Sequence, residues 1–379
     1  MLQLRPFQKA ALEAIHPNPS HPSHLLCIAP TGAGKSLIYE RLAAAGNRRT
    51  LLVTPLVALA RQQFQTLQGR GIQTTLGVRG SSQGPPQSKS GAWIVSPESL
   101  TFPSKERALL LWKPNLLIVD ECHCLWEWGE KFRPAFTILP DLLTKHEIAQ
   151  SLWLTATLPF EARLSLRQKL PTPLLEMGGF ELPRHLQLKI HRISLQDRAS
   201  YVFEWLKQRN GPGIVFVSTR EATIRIGRLM SALGRNVVIY HGGMSTEERK
   251  NIENLVAQGI PDTVVATSAF GMGMNYQHLK FVILWQAPTS LLSLVQTIGR
   301  VGRNPASDNH ALVLWEPEDF RLLEWTVNHS KKRQDDLTKL FDFLATPLCR
   351  SAFLKTYFDR TPLTASSCSL CDNCLTKIN

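Results

Sequence analysis

The sequence has no uninterrupted apolar run that approaches the roughly 18 residues required by a membrane-spanning helix. Its richest apolar stretch, residues 109–119, is broken by Lys113 and Pro114. The N-terminus also lacks the apolar core of a secretory signal peptide. The sequence therefore lacks the usual signals for membrane insertion and export, which predicts a cytoplasmic protein with no membrane partner.

Acidic residues are scarce relative to basic ones. Asp and Glu number 30 and Lys and Arg number 43, which gives a formal net charge of +13. Such an excess favours a polyanionic partner, because cations that meet phosphates release condensed counterions. The composition therefore permits a nucleic-acid partner without identifying one.

Short apolar runs recur along the chain, and each is followed by a turn and a helical pattern. They form two series: residues 25–29, 50–54, 93–95, 116–119 and 151–155, then residues 213–217, 236–240, 263–266, 281–285 and 311–315. Strands that alternate with helices predict an α/β fold with parallel sheets. Two series predict two such sheets, one per domain, joined by a linker in the proline-rich and glycine-containing residues 170–183.

A phosphate-binding loop is predicted directly after the first apolar run, where residues 29–36 read APTGAGKS. Its two glycines allow a tight turn whose N–H groups point at phosphate oxygens, and the following helix adds its positive N-terminal end. In this motif Lys35 bridges the β- and γ-phosphates, and Ser36 holds Mg²⁺. The expected ATP-binding residues of the loop are Thr31, Gly32, Ala33, Gly34, Lys35 and Ser36.

Two adjacent acids, Asp120 and Glu121, end the apolar run at 116–119. A carboxylate at the carboxyl end of a parallel strand can hold Mg²⁺, and the next one can orient and deprotonate water. We therefore expect Asp120 to bind Mg²⁺ and Glu121 to act as a general base. Together with the phosphate-binding loop, this pair predicts ATP hydrolysis.

Two segments of the first predicted domain, called lobe 1 below, resemble motifs of superfamily-two helicases. Residues 120–123 read DECH and resemble the DExH box, and residues 154–157 read LTAT and resemble the third helicase motif. The threonine hydroxyls of the latter are expected to hydrogen-bond His123 or Glu121 and to sense the departure of the γ-phosphate.

The second lobe contains the segment QTIGRVGR, residues 296–303. Gln296 is an expected ATP-binding residue. If the segment is helical, Arg300 and Arg303 share one face, from which they would stabilise charge on the γ-phosphoryl group as arginine fingers. A pair of surface arginines is the alternative.

The segment after the DExH box, residues 123–134, reads HCLWEWGEKFRP and resembles the aromatic-rich loop of RecQ helicases. Physically, aromatic faces stack on bases of any sequence, and basic side chains hold the backbone. The expected DNA-binding residues are Trp126, Trp128, Phe132 and Arg133. Packing beneath the first lobe is the alternative for the aromatic residues, above all for Trp126.

Further segments resemble RecQ motifs in the expected order along nearly the whole chain. Residues 4–8 read LRPFQ and resemble the adenine-reading motif, which implies that Gln8 hydrogen-bonds the base and Arg5 packs on it. The resemblance implies an ATP-dependent DNA helicase that moves 3′ to 5′ on single strands and unwinds tailed duplexes, in DNA repair or recombination.

Seven cysteines are present, an odd number, and Cys368, Cys371 and Cys374 each have two residues between neighbours. Without an export signal, such spacing indicates metal ligation before disulfides. Cys349, from a preceding helical segment, would complete a tetrahedral zinc site. The pattern resembles the RecQ zinc-binding domain, and a redox dithiol or unpaired thiols are the alternatives.

The predicted fold class is α/β, with two RecA-like parallel-sheet domains in tandem and a small helical C-terminal zinc-binding module. We expect an ATP-binding lobe 1 over residues 1–178, a lobe 2 over 179–320 and the module over 321–379. RecQ proteins commonly continue into a winged-helix domain, whereas this sequence ends five residues after Cys374. The expectation is a monomeric short form that unwinds only short duplexes.

Two other functions stay open. An RNA-directed DExH helicase would make similar phosphate and stacking contacts, although the aromatic loop and the cysteine cluster are not typical of that class. A non-catalytic ATP-gated clamp would need a broken catalytic position. The catalytic residues assigned here are Lys35, Asp120, Glu121, His123, Arg300 and Arg303.

Overall fold

The computed structural model describes residues 3–375 except positions 80, 82, 128–133, 184, 210, 272–275, 277, 303–307, 327–330 and 364–366. The chain forms two compact units. The first comprises Met1–Phe180 and Tyr357–Arg360, and the second comprises Glu181–Thr356 and Thr361–Asn379.

The first unit is built around a seven-stranded sheet in which all neighbouring strands are parallel. Its strands are β1 (Ser23–Ile28), β2 (Arg49–Val53), β3 (Thr74–Gly77), β4 (Gly91–Val95), β5 (Leu116–Val119), β6 (Gln150–Thr155) and β7 (Leu174–Gly178). Their order in the sheet is β3-β4-β2-β5-β6-β1-β7. The central strands have no exposed residue, which explains why they read as continuous apolar runs in the sequence.

Helices cover both faces of this sheet. They are α1 (Pro6–Ala14), α2 (Ser36–Ala43), α3 (Val57–Gly69), α4 (Pro103–Trp112), α5 (Asp141–Lys145) and α6 (Phe160–Lys169). Alternate residues of β1 belong to different core clusters: Leu26 and Ile28 to one, Leu25 and Cys27 to the other. Since successive side chains of a strand point to opposite faces, each face of the sheet has its own core.

The second unit contains a six-stranded sheet, again with all neighbouring strands parallel. Its strands are β8 (Leu186–Arg192), β9 (Gly213–Phe216), β10 (Val237–Tyr240), β11 (Thr263–Ala266), β12 (Phe281–Leu284) and β13 (Asn309–Trp315). Their order is β10-β11-β9-β12-β13-β8, so β8 lies at one edge.

The helices of the second unit alternate with these strands and then continue alone to the cysteine cluster. They are α7 (Arg198–Lys207), α8 (Arg220–Ala232), α9 (Thr246–Ala257), α10 (Leu291–Ile298), α11 (Pro317–Thr326), α12 (Lys331–Ala345), α13 (Arg350–Asp359) and α14 (Asp372–Leu375). The last turn of α13 belongs to the first unit. Arg198, which is fully buried, donates to Asp319 at 3.1–3.2 Å and to the carbonyl oxygen of Trp285 at 2.7 Å, and so fixes α11 against the sheet.

The predicted fold class is confirmed: two parallel α/β domains lie in tandem, and a helical segment with a cysteine cluster follows. All ten predicted apolar runs lie in strands or overlap them. The expected linker over residues 170–183 is wrong in part, because it contains β7. This edge strand is only half-buried, so it lacks the apolar run by which the central strands were recognised. Within the described residues, no helix has the length and apolar character needed to cross a membrane.

Candidate functional site

The predicted phosphate-binding loop lies between β1 and α2. Gly32 and Gly34 have φ angles of +79° and +88°, a left-handed conformation that residues with a Cβ atom rarely adopt. The Nζ atom of Lys35 donates to the carbonyl oxygens of Ala29 at 2.7 Å and Pro30 at 3.2 Å, so the lysine lies against the loop. The other predicted loop residues, Thr31, Ala33 and Ser36, lie in the same turn or at the start of α2.

The two residues expected to read adenine contact this loop. Nε2 of Gln8 donates to the carbonyl oxygen of Gly34 at 2.7 Å, and the guanidinium of Arg5 donates to the carbonyl oxygen of Ala33 at 3.1 Å. Oε1 of Gln8 accepts from the backbone N–H of Arg5 at 2.8 Å. Because a carbonyl oxygen can only accept, these contacts fix the orientation of the Gln8 amide and hold the start of α1 against the loop.

Gly34→Ala is expected to raise the KM for ATP at least about tenfold, because an L-residue with positive φ costs about 1–3 kcal/mol. The added Cβ would also lie 2.8 Å from Nε2 of Gln8 and displace it. Gly46→Ala is the matched control, since its Cβ meets nothing within 4 Å. Steady-state hydrolysis at varied ATP concentration measures both variants, and equal KM values for the two would contradict the prediction.

Asp120 and Glu121 follow the carboxyl end of β5. Oδ2 of Asp120 accepts from Nε2 of Gln63 at 2.7 Å, and Oδ1 accepts from the backbone N–H of Glu121 at 3.0 Å. Burial and the charge of Glu121 together raise the pKa of Asp120 to about 7, although Lys35 opposes the shift. A buried carboxylate that is stabilised by a nearby cation is a suitable oxygen ligand for Mg²⁺.

Gln63 is a contact that the sequence prediction missed. It lies on α3 with Ala60 and Leu67, the other buried residues of that helix. The spacing of 60, 63 and 67 is that of one helical face. A polar residue on an otherwise apolar face is the signal that could have identified it, because a buried amide needs a hydrogen-bond partner.

His123 connects the DExH box to the LTAT segment. Its Nδ1 atom lies 3.2 Å from Oγ1 of Thr155 and 3.2 Å from Oε2 of Glu121. Oγ1 of Thr155 accepts from the backbone N–H of Thr157 at 3.1 Å and donates to that residue's carbonyl oxygen at 2.8 Å. The imidazole therefore lies between the expected general base and the end of β6.

In the second unit, the apolar side chains of helix α10 are buried and Gln296 is half-buried. The condition for a shared helical face of Arg300 and Arg303 is not met at Arg300, because α10 ends at Ile298 and the turn that follows contains Gly302 with φ of +78°. Arg300 donates to the carbonyl oxygen of Gly271. Arg303 lies outside the described residues.

Of the predicted DNA-binding residues, Trp126 alone lies in the described part of the chain; Trp128, Phe132 and Arg133 lie outside it. Trp126 is half-buried and packs against the core cluster that includes Phe136 and Trp153. This packing favours the alternative in which Trp126 anchors the aromatic loop to the first unit.

The four predicted zinc ligands come together at the C-terminus: the Sγ atoms of Cys349, Cys368, Cys371 and Cys374 all lie within 4.8 Å of one another. Tetrahedral zinc with Zn–S bonds of about 2.3 Å needs sulfurs about 3.8 Å apart, so small side-chain shifts would complete the site. The backbone N–H of Arg350 donates to Sγ of Cys371 at 3.4 Å. Hydrogen bonding from Cys371 lowers the pKa of Cys368 to about 4, and the same pairing raises the pKa of Cys371, so the two sulfurs share one proton that zinc binding would release.

The cysteine cluster also covers the edge of the second sheet. The backbone N–H of Leu188, in edge strand β8, donates to the carbonyl oxygen of Leu370 at 3.0 Å, and that of Ile190 donates to Oδ2 of Asp372 at 3.0 Å. Asp372 is paired with buried Arg350 at 3.1 Å. The cluster thus satisfies backbone donors that an open edge would leave exposed.

Three family models match successive parts of the chain. The DEAD/DEAH box helicase model matches residues 5–165, the helicase conserved C-terminal domain model matches residues 197–305, and the RecQ zinc-binding model matches residues 317–375. In that order they cover six of the seven strands of the first sheet, four of the six strands of the second sheet, and the cysteine cluster.

Similar proteins include the ATP-dependent DNA helicase RecQ of Pasteurella multocida, 30% identical over 92% of this chain and 57% of the relative. The ATP-dependent DNA helicase RecQ of Bacillus subtilis is 29% identical over 92% of this chain and 61% of the relative. The chain thus spans about three fifths of the length of these curated relatives. Among solved structures, S. cerevisiae Dbp5 bound to RNA and ADP BeF3 matches with a TM-score of 0.66 and 18% identity, over 90% of this chain and 93% of that one; this likeness concerns the fold alone.

Proposed function

Because the chain belongs to the RecQ family of helicases, we propose that it is an ATP-driven DNA motor that moves 3′ to 5′ on single strands and unwinds tailed duplexes, in repair or recombination. The observation that carries the proposal is the contact of His123 with both Glu121 and Thr155, at 3.2 Å each. It joins an acid suited to activating water to a strand end that can respond to hydrolysis.

The chemistry assigned to the first lobe, residues 1–178, is ATP hydrolysis. Lys35 binds the β- and γ-phosphates, and Glu121 accepts the proton of the attacking water. Ser36 and Asp120 hold Mg²⁺, which neutralises phosphate charge when bound. The raised pKa of buried Asp120 supports a site that is completed by a cation.

The second lobe, residues 179–320, supplies charge stabilisation. Arg300 and Arg303 act on the γ-phosphoryl group, and Gln296 binds ATP. Residues 321–379 form the zinc-binding module, whose four cysteines hold a structural zinc ion that stabilises the local fold.

The DNA contacts are assigned to Trp128, Phe132 and Arg133 of the aromatic-rich loop, whereas Trp126 packs against the core of the first lobe. Stacking is tolerant of base sequence, as a translocating motor requires. The loop follows His123 directly in the chain, so contact with a base would be felt at Glu121. A cytoplasmic location and a monomeric state stay predictions.

Duplexes of about 20 base pairs with a 3′ or a 5′ single-stranded tail test the proposed direction of movement. The expected result is ATP-dependent displacement from the 3′-tailed duplex and little from the 5′-tailed one. Equal displacement of both, or preference for the 5′ tail, would overturn the polarity.

Arg303→Ala is expected to bind ATP with nearly wild-type affinity and to abolish strand displacement, since loss of an arginine finger costs about 10³-fold or more in turnover. Equilibrium ATP binding and the tailed-duplex assay measure the two properties. Arg235→Ala is the control, because its guanidinium binds the carbonyl oxygens of Gly211 and Asp262, which precede β9 and β11. Undiminished displacement by Arg303→Ala would refute its assignment.

A further inference from the structure

The thiol of Cys124 contacts the DExH box at a point that the proposed mechanism does not use. Its Sγ atom lies 3.6 Å from Nε2 of His123, on the side of the ring opposite the contacts with Glu121 and Thr155. Cys124 is 2% exposed and His123 is 7% exposed, so water competes little for this contact. A helical turn begins at Cys124, whose backbone N–H donates to the carbonyl oxygen of Glu121 at 3.0 Å.

The hydrogen atoms around the ring can be assigned from their partners. The hydroxyl of Thr155 has one proton, and it points at the carbonyl oxygen of Thr157, which can only accept. Thr155 therefore accepts from Nδ1 of His123. The Glu121 carboxylate, whose Oε2 atom lies 3.2 Å from Nδ1, is close enough to form an ion pair with the ring. It follows that Nδ1 of His123 carries a proton and donates.

The remaining ring nitrogen, Nε2, makes its hydrogen bond with Cys124. Burial raises the pKa of the Cys124 thiol, so the sulfur keeps its proton near neutral pH. Burial lowers the pKa of His123, but the contacts with Cys124 and Glu121 outweigh burial and raise it, so Nε2 can also carry a proton and donate to the sulfur. Which nitrogen of a histidine carries the proton is set by the hydrogen bond that the other nitrogen makes. Among the described contacts of Nε2, the Cys124 thiol supplies this hydrogen bond.

We propose that Cys124 is a positioning residue for ATP hydrolysis, whose thiol binds Nε2 of His123 and holds the ring with its Nδ1–H facing Glu121. The inference rests on the proposed ATP hydrolysis. By holding Nδ1 at 3.2 Å from Oε2 of Glu121, the thiol keeps the ring beside the carboxylate that activates water.

Two substitutions separate this role from simple packing. Cys124→Ser keeps a donor, whereas Cys124→Val keeps a similar volume and removes it. The positioning role predicts that the kcat of Cys124→Val falls about tenfold, as for a buried polar group that loses its partner, with the KM for ATP nearly unchanged. Cys124→Ser should recover most of that loss.

If Cys124 only fills space, the valine variant should have the higher kcat, because valine suits an apolar environment better than serine does. Cys122 is the matched control: it is 1% exposed, lies on the other side of His123 in the chain and belongs to the core cluster. At position 122, valine is expected to be tolerated and serine to lower the melting temperature. A folded Cys124→Val with wild-type kcat would overturn the proposal, and so would a serine variant as slow as the valine variant.

The protonation of the ring gives a second readout that does not depend on turnover. In protein labelled with ¹⁵N-histidine, the His123 signals are identified by their loss in His123→Asn. Nδ1 of His123 is expected to be protonated in the wild type, and this state should be lost or mixed in Cys124→Val. An unprotonated Nδ1 in the wild type would overturn the proposal even if ATP hydrolysis is normal. Absence of ATP hydrolysis in the wild type would instead count against the proposed function.

Discussion

Glu121→Gln is expected to lower the kcat for ATP by at least about 100-fold while ATP binding is retained. The amide keeps the size of the carboxylate and an acceptor oxygen for Nδ1 of His123, 3.2 Å away, but it cannot take a proton from water. Glutamine also suits the backbone as well as glutamate does, so the left-handed φ of +50° gives no reason for a change of fold. Steady-state hydrolysis with saturating ATP and single-stranded DNA gives kcat, and equilibrium titration gives the Kd for ATP.

Two controls make the result specific. Lys35→Ala should instead weaken ATP binding, because the ammonium group that meets the phosphates is removed. Glu13→Gln changes a surface carboxylate on α1, whose side chain is 67% exposed, and should leave both quantities unchanged. Hydrolysis by Glu121→Gln near the wild-type rate would mean that another group activates the water.

Cys371→Ser is expected to abolish stoichiometric zinc binding and to destabilise the second unit by about 3 kcal/mol or more, because zinc binding contributes directly to folding. For a unit of this size, such a loss lowers the melting temperature by on the order of 10 °C. The side chain is 1% exposed, and residue 371 bridges to Leu188 of β8. The edge of the second sheet should therefore loosen when the ligand is lost.

Metal analysis per chain and thermal unfolding monitored by circular dichroism measure this effect. Adding a chelator to the wild type should reproduce the shift in melting temperature, whereas it should not move that of Cys371→Ser further. Cys27→Ala alters another buried cysteine, in β1, and should keep one zinc per chain. A Cys371→Ser variant with full zinc and wild-type stability would contradict the assignment of this cysteine as a ligand.

The central strands of both sheets could be predicted from the sequence because burial on both faces demands continuous apolar residues. The edge strands β3, β7 and β8 could not. β7 is half-buried, and β8 alternates buried with more exposed residues, so neither forms an apolar run. The hydrogen bonds that Leu370 and Asp372 accept from the backbone of β8 could not be predicted either, since they join segments about 180 residues apart.

Within the site, the sequence motifs predicted which residues carry phosphate, metal and base chemistry, because each motif fixes chemistry by spacing over a few residues. They did not predict the partners that orient those residues. Gln63 lies 57 positions from Asp120, and its role depends on how α3 packs against the sheet. The contact of Cys124 with His123 joins neighbours in the sequence, yet its direction depends on the turn that starts at Cys124.

The most direct test of the account is the steady-state ATPase rate of the whole chain, at a stated salt concentration, with no nucleic acid, single-stranded DNA, duplex DNA or single-stranded RNA. We expect a low basal rate and strong stimulation by single-stranded DNA, because the aromatic-rich loop follows His123 directly. Equal stimulation by RNA would favour an RNA-directed helicase. A rate that stays low with every polymer would contradict the motor and favour an ATP-gated clamp.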